Sequence, residues 1–302
     1  MNSALDRLFD TVGCEGSVHA VRLADGAEIG HEADRPHVLA SVVKVPIGLE
    51  FYAQADADEI DPTLPVTLEP AVRTPGPVGI SQFQDPAVVS RRDLAHLMLT
   101  ISDNVATDAV TEVVGIGRVN QRLQAVGCHD TVVVEGIQAM LDRVAADLGY
   151  DTYDELLAAQ RGDNGPQARA QATDPVRIDR CRALDATQTS RTTARDATRL
   201  LAAIWDDTAA NPTACAQLRD TMAQQVTRRL GPAVPDGGTL AAKSGALFGR
   251  IRNEIGVITS PDGDAYAVAV LTRAHKPFHA EAAINTAMAS AAAAALGQLQ
   301  PR

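Results

Sequence analysis

Residues 39–48 read LASVVKVPIG, an apolar run that carries Ser41, Lys44 and Pro46. Lys44 is the only lysine among the first 240 residues. On a helix, positions i and i+3 share a face, which brings the amine to the hydroxyl. A serine hydroxyl is a weak nucleophile until an adjacent base takes its proton. A lysine can serve as that base when burial disfavours its ammonium form. Leu39, Val42, Val43, Val45 and Ile47 supply such burial. If a helix begins at Ser41, the backbone N–H groups there are placed to hold an oxyanion. A plainer reading makes Ser41 a helix cap and Lys44 a surface residue. Pro46 fits the helix's first turn, where a missing N–H costs little.

Two further clusters carry chemistry. Ser102-Asp103-Asn104 ends the apolar run LAHLMLTI and puts a hydroxyl, a carboxylate and an amide at one bend. The same residue types also favour ordinary caps and turns. Lys243-Ser244-Gly245 interrupts the β-type run LAAKSGAL, where Gly245 permits close approach to the strand backbone. The alternative there is an edge-strand lysine that guards against aggregation.

Outward from these clusters, strand patterns fall at the two ends of the chain. Residues 4–13 predict a helix, and 17–34 a hairpin around Asp25-Gly26. From residue 40 to about 235 the periodicity is mostly helical. Ser90 with Asp93, and Thr193 with Asp196, have capping-box spacing, and Gly127 closes a short helix. TLAAKSGAL, NEIGVITS and AYAVAVLTR predict strands, and a helix closes the chain from about Ala280 to Leu299. The expected fold is α+β. Residues 1–40 and 236–302 build one antiparallel sheet flanked by terminal helices, and an all-helical region, 41–235, is inserted. A site then lies in the crevice between these parts.

The chain has 302 residues, 45% apolar and 22% charged, with a formal net charge of −11. That balance argues against a nucleic-acid partner, which needs a basic footprint. The longest alanine-rich run, AMASAAAAALG, is too short for a membrane span. The N-terminus has no basic start followed by an apolar core, so a cytoplasmic location is expected. Cys14, Cys128, Cys181 and Cys215 lie far apart, as reduced thiols do, and suggest neither zinc nor another metal. Nothing here fixes an oligomeric state.

In this order and on these elements, the three clusters make the sequence resemble the class A β-lactamases and the penicillin-binding-protein-like serine hydrolases. DGAEIGHEADRPHVLASVVKVPI, ISDNVATDAV, TTARDATRLLAAIW and AAKSGALFGRIRNEIGVI are similar to family segments. The resemblance spans most of the chain apart from roughly 128–190. It implies that Ser41 is the acylated nucleophile and Lys44 its base or proton shuttle. Ser102 would relay a proton to the leaving group, and Asn104 would hold the substrate amide. Lys243 and Ser244 would meet a substrate carboxylate, and the N–H groups of Ser41 and Ala246 would form the oxyanion hole. No metal or organic cofactor is implied.

The sequence also departs from the family. The Glu-x-x-Leu-Asn signature that activates the deacylating water in class A enzymes is absent, and Ile137 falls at the glutamate position. Glu135 and Gln138 lie nearby; Glu135 is either a substitute base or a solvated loop carboxylate. Residues 137–160 predict two helices and RGDNGPQARAQATDP an exposed polar loop. This divergent segment sets substrate choice, acts as a lid, or only packs against the helical region. Arg250 or Arg252 would bind a substrate carboxylate, unless both are solvated turn residues. His275 and His279 read as surface residues. The expected function is a serine hydrolase that forms an acyl-enzyme on a small-molecule amide or ester, β-lactams included. The alternatives are a cytosolic esterase, peptidase or acyltransferase, or a sensor that stays acylated.

Overall fold

The computed structural model describes residues 2–300. Along the chain, α1 (Asn2–Thr11) precedes the hairpin of β1 (Cys14–Arg22) and β2 (Glu28–His31), and then comes β3 (His37–Val38). A 3-10 turn, Ala40–Val43, runs directly into α2 (Lys44–Asp56). The middle of the chain holds β4 (Pro65–Leu68), β5 (Ala87–Ser90), α3 (Arg91–Thr100), α4 (Asn104–Val114) and α5 (Ile116–Ala125). The divergent segment forms α6 (Ile137–Leu148), α7 (Tyr153–Arg161), α8 (Pro166–Ala172) and α9 (Pro175–Asp179). Then come β6 (Arg191–Thr192), α10 (Ala194–Trp205), α11 (Pro212–Ala223), β7 (Thr239–Leu247), β8 (Ile251–Thr259), β9 (Ala265–Ala274) and α12 (Glu281–Leu299).

The main sheet runs β2-β1-β9-β8-β7, and every neighbouring pair in it is antiparallel. Its central pairing joins the two ends of the chain, from Cys14 opposite Ala274 to Arg22 opposite Tyr266. Side chains alternate across a strand, so a sheet covered on both faces must be apolar at every position. β9 follows that rule. Ala267, Ala269 and Leu271 join the core shared with α2, α4, α10 and α11, while Tyr266, Val268 and Val270 join the core under α1 and α12. α12 lays Ala287, Ala291, Ala292 and Ala295 against the sheet, small side chains that allow close packing. No helix among the described residues is long and apolar enough to cross a membrane.

The caps fall where the spacing places them. The Ser90 hydroxyl accepts from Asp93 N–H at 3.3 Å, the Thr193 hydroxyl accepts from Asp196 N–H at 3.0 Å, and Gly127 takes φ +79° after α5. Two readings need correction. The polar stretch after Arg161 is not a loop, because it folds into α8 and α9. Its Gly165-Pro166 and Asp174-Pro175 pairs are helix starts, with each proline in the first turn and the Asp174 carboxylate accepting from Val176 N–H at 2.9 Å. The mostly helical middle also holds two short ribbons, β3 with β6 and β4 with β5. Strands of two to four residues leave too little alternation to read. The four cysteines are buried and unbonded, and His275 and His279 are exposed.

Candidate active site

Ser41 sits in the 3-10 turn, where residues three apart eclipse one another. Three contacts hold this turn. Lys44 N–H donates to Ser41 O. The buried Asn253 amide donates to Val38 O at 2.8 Å and Leu39 O at 3.3 Å, and Leu39 N–H donates to Ser190 O at 3.0 Å. Ala40, just before the serine, is held at φ +46°, a left-handed conformation that costs a non-glycine residue energy and that gathers at functional sites. Pro46 is the third residue of α2, among the first four whose N–H groups lack an intrahelical acceptor.

The Ser102-Asp103-Asn104 bend is built by capping. α3 ends at Ile101, Ser102 takes φ +67°, and the Asp103 carboxylate caps α4 by accepting from Ala106 N–H at 3.0 Å. Its other oxygen accepts from Ile80 N–H at 2.5 Å. The turn chemistry thus aims Ser102 and Asn104 at the end of Lys44. Lys44 Nζ donates to Ser102 O at 2.7 Å, Ser102 Oγ at 3.0 Å and Asn104 Oδ1 at 3.0 Å. Lys44 is therefore no surface residue: its exposure is 0%. Burial pulls its amine down to about 7, against the opposing pull of Asp103 and Asp108. Among the described residues the Ser41 hydroxyl has no hydrogen-bond partner, so the amine reaches Ser102 and Asn104 in place of the expected contact with Ser41.

β7 brings the third cluster against the same turn. A Cβ on Gly245 would lie 3.0 Å from Leu39 O and 3.1 Å from Ser41 N and Val42 N. The missing side chain thus leaves room for the serine turn itself, whose backbone would have to give by a few tenths of an ångström to admit a Cβ. Lys243 is wholly buried; its Nζ donates to Ser244 O at 3.0 Å and Gln225 Oε1 at 3.2 Å. Burial, then the charges of Lys44 and Arg229, push its amine well below the ordinary lysine range.

Ser41, Asn104 and Ala246 line one cavity of about 400 Å³, together with Glu135 and Ile137. Lys243, Ser244 and Gly245 are not among its lining residues. Nor are Arg250 and Arg252 among the residues that line the cavity. Arg250 bonds to Ala274 O at 3.0 Å and pairs with Asp179 at 3.1 Å. Arg252 bonds to Asn285 Oδ1 at 3.0 Å and pairs with Glu281 at 2.6 Å. Both are structural clamps rather than solvated turn residues. Glu135 lines the cavity, but its carboxylate is taken by Arg143, while burial pushes its pKa up.

Three residues escaped the sequence reading. Arg229 donates to Asn253 O at 2.9 Å and Gly245 O at 3.3 Å, which places a guanidinium beside Lys243. Burial and the nearby Arg252 pull its guanidinium down to about 10. Gln225 Oε1 accepts from Ser244 N–H at 2.6 Å. Both lie in an aperiodic stretch with no motif to mark them. Asp108 on α4 accepts from Ile137 N–H at 2.6 Å and Gln138 N–H at 2.8 Å, which anchors the start of α6 at the cavity. Among the described residues no group of three or more His, Cys, Asp or Glu side chains is placed to hold a metal ion.

The profile of the "Beta-lactamase enzyme family" matches residues 1–299. The chain belongs to that family. The beta-lactamase regulatory protein BlaB of Streptomyces cacaoi is 30% identical over 298 residues, which cover 93% of this chain and 91% of BlaB. Among solved structures, a beta-lactamase from Sphaerobacter thermophilus DSM 20745 is 24% identical with a TM-score of 0.73, covering 99% of each chain. PBP-A is 20% identical with a TM-score of 0.72, covering 99% of this chain and 97% of PBP-A. A PBP-A variant solved as an acyl-enzyme with penicillin G is also 20% identical, with a TM-score of 0.71 and coverage of 99% and 98%. The antiparallel sheet and its flanking helices are thus the β-lactamase and penicillin-binding-protein fold.

Proposed function

We propose that Ser41 forms an acyl-enzyme on a small-molecule amide or ester, β-lactams included, and releases the acyl group slowly. The observation that carries this reading is the buried Lys44 amine, held near neutrality and bonded to Ser102 and Asn104 beside the cavity that Ser41 lines. On losing a proton the amine gives up one of its three bonds to Ser102 and Asn104, and its lone pair can then take the Ser41 proton as the oxygen bonds to the carbonyl carbon. The N–H groups of Ser41 and Ala246 are assigned to the oxyanion. Ser102, 3.0 Å from Lys44 Nζ, returns the proton to the leaving nitrogen or oxygen as its bond to carbon breaks. Arg229, bonded to β7 at Gly245 O, favours an anionic substrate group there.

Slow release follows from Ile137, because an attacking water needs a base within hydrogen-bond reach. Ile137 offers none, and Arg143 holds the Glu135 carboxylate. The regulatory relative from Streptomyces cacaoi supports a second reading, in which the lasting adduct is itself the signal. Both readings are tested by incubating the protein with penicillin G and with a chromogenic cephalosporin while following intact mass and turnover. One stable adduct with little turnover is expected. Fast turnover without an adduct contradicts slow release, and neither adduct nor turnover contradicts action on β-lactams. Acylation is expected to rise with pH around a midpoint near 7, since Lys44 acts only after losing its proton. A flat profile across that midpoint removes Lys44 as the base.

Gly245→Ala is expected to slow acylation by about tenfold, because its Cβ would press backbone atoms of the serine turn by a few tenths of an ångström. Stopped-flow acylation rates, with circular dichroism as the folding control, check this; a loss below about threefold contradicts it.

A further inference from the structure

The divergent helices end at the cavity. Met140 and Leu141 from α6, Tyr153 and Leu157 from α7, and Leu247 and Phe248 at the end of β7 form its apolar wall. Met140, Tyr153, Leu247 and Phe248 also pack on the hydrophobic cluster that holds the segment together, so the wall continues a folded core. Phe248 takes φ +47° as the first central residue of the turn that joins β7 to β8, followed by Gly249 at φ +64° and closed by Arg250 N–H donating to Leu247 O at 3.0 Å.

Most polar side chains of the cavity carry a partner, the Ser41 and Tyr153 hydroxyls apart. The Thr189 hydroxyl accepts from Arg143 at 3.2 Å, and the Ser190 hydroxyl accepts from Val134 N–H at 3.0 Å. Asn104 accepts from Lys44 and donates to Pro75 O at 2.9 Å. Glu135 is paired with Arg143, and no Lys, Arg or His among the described residues lines the cavity. A polar acyl group seated here would exchange its water for few partners, chiefly the Thr189, Ser190 and Tyr153 hydroxyls, which is costly. An apolar one would gain from every methylene buried.

Resting on the acyl-enzyme reading above, we infer that Ser41 accepts esters whose acyl part is an unbranched aliphatic chain, seated between α6, α7 and Phe248. The Ser41 oxygen bonds to the acyl carbon, the bond from that carbon to the ester oxygen breaks, and the serine proton leaves with the alcohol. A space of about 400 Å³ holds about a dozen groups at roughly 30 Å³ each, which suits a carbonyl followed by about six to ten carbons. The divergent segment is then the specificity element of the site.

The test compares the p-nitrophenyl esters from acetate to laurate by the second-order rate of nitrophenol release and by adduct mass on Ser41. The rate is expected to climb by up to about fourfold per methylene. Octanoate should exceed acetate at least tenfold, with a fall beyond decanoate. Leu157→Asn and Leu157→Trp are expected to reduce the octanoate-to-acetate ratio at least fivefold, and the tryptophan to shift the optimum to shorter chains. Adducts on Ser41 at rates independent of chain length, or a ratio unchanged in both variants, overturn the acyl pocket and leave the acyl-enzyme reading standing. No adduct with any ester, when penicillin G does label Ser41, also overturns the pocket alone. No adduct with any ester or with penicillin G overturns both.

Discussion

An Ile137→Glu variant is expected to turn a lasting penicillin G adduct on Ser41 into a transient one. Ile137 opens α6, its N–H is held by Asp108, and its side chain lines the cavity that Ser41 lines. By the sequence resemblance, a carboxylate at this position would correspond to the water-activating glutamate of class A enzymes. The helix N-terminus favours its charge, while the apolar wall and Asp108 raise its pKa toward the neutral range where a general base works best. The expected gain in deacylation is about 10²-fold, the low end for a positioned general base. Recovery of unmodified protein mass after removal of free antibiotic measures it. An unchanged adduct lifetime would mean that the water route does not pass this position.

Lys44→Met is expected to slow acylation of Ser41 by about 10³-fold. Methionine is flexible and of similar length, so it fills the same buried space without a base. The substitution removes three hydrogen bonds and leaves Ser102 and Asn104 short of a partner, which destabilises. It also removes the penalty of burying an ionisable amine, which offsets part of that loss. Stopped-flow acylation together with a thermal melt separates the two effects. A folded variant that acylates within about fivefold of the parent would assign the proton to another group.

The fold was legible where patterning is strong and long. The unbroken apolar run of β9 signals a strand buried on both faces, and the capping pairs mark the starts of α3 and α10. The polar stretch of α8 and α9 was misread because Gly-Pro and Asp-Pro punctuate loops and helix starts alike. At the site, Ser41, Lys44, Ser102, Asn104 and Lys243 announce themselves as polar residues set into apolar runs, a placement that is costly without a purpose. Arg250 and Arg252 illustrate the limit of that logic. Position along a strand says which side a residue takes, but not whether Asp179 or Glu281 from a distant helix will claim it. Arg229 and Gln225 act through contacts across the fold that no local spacing encodes. The apolar cavity wall was invisible for the same reason, since Met140, Leu157 and Phe248 read locally as ordinary core residues.

The most direct test is intact-mass spectrometry of the protein after brief exposure to penicillin G, followed by peptide mapping of the adduct. One covalent adduct on the peptide carrying Ser41, persisting after the free antibiotic is removed and absent from Ser41→Ala, is the predicted result. An adduct on another residue, or one retained in Ser41→Ala, would contradict the account.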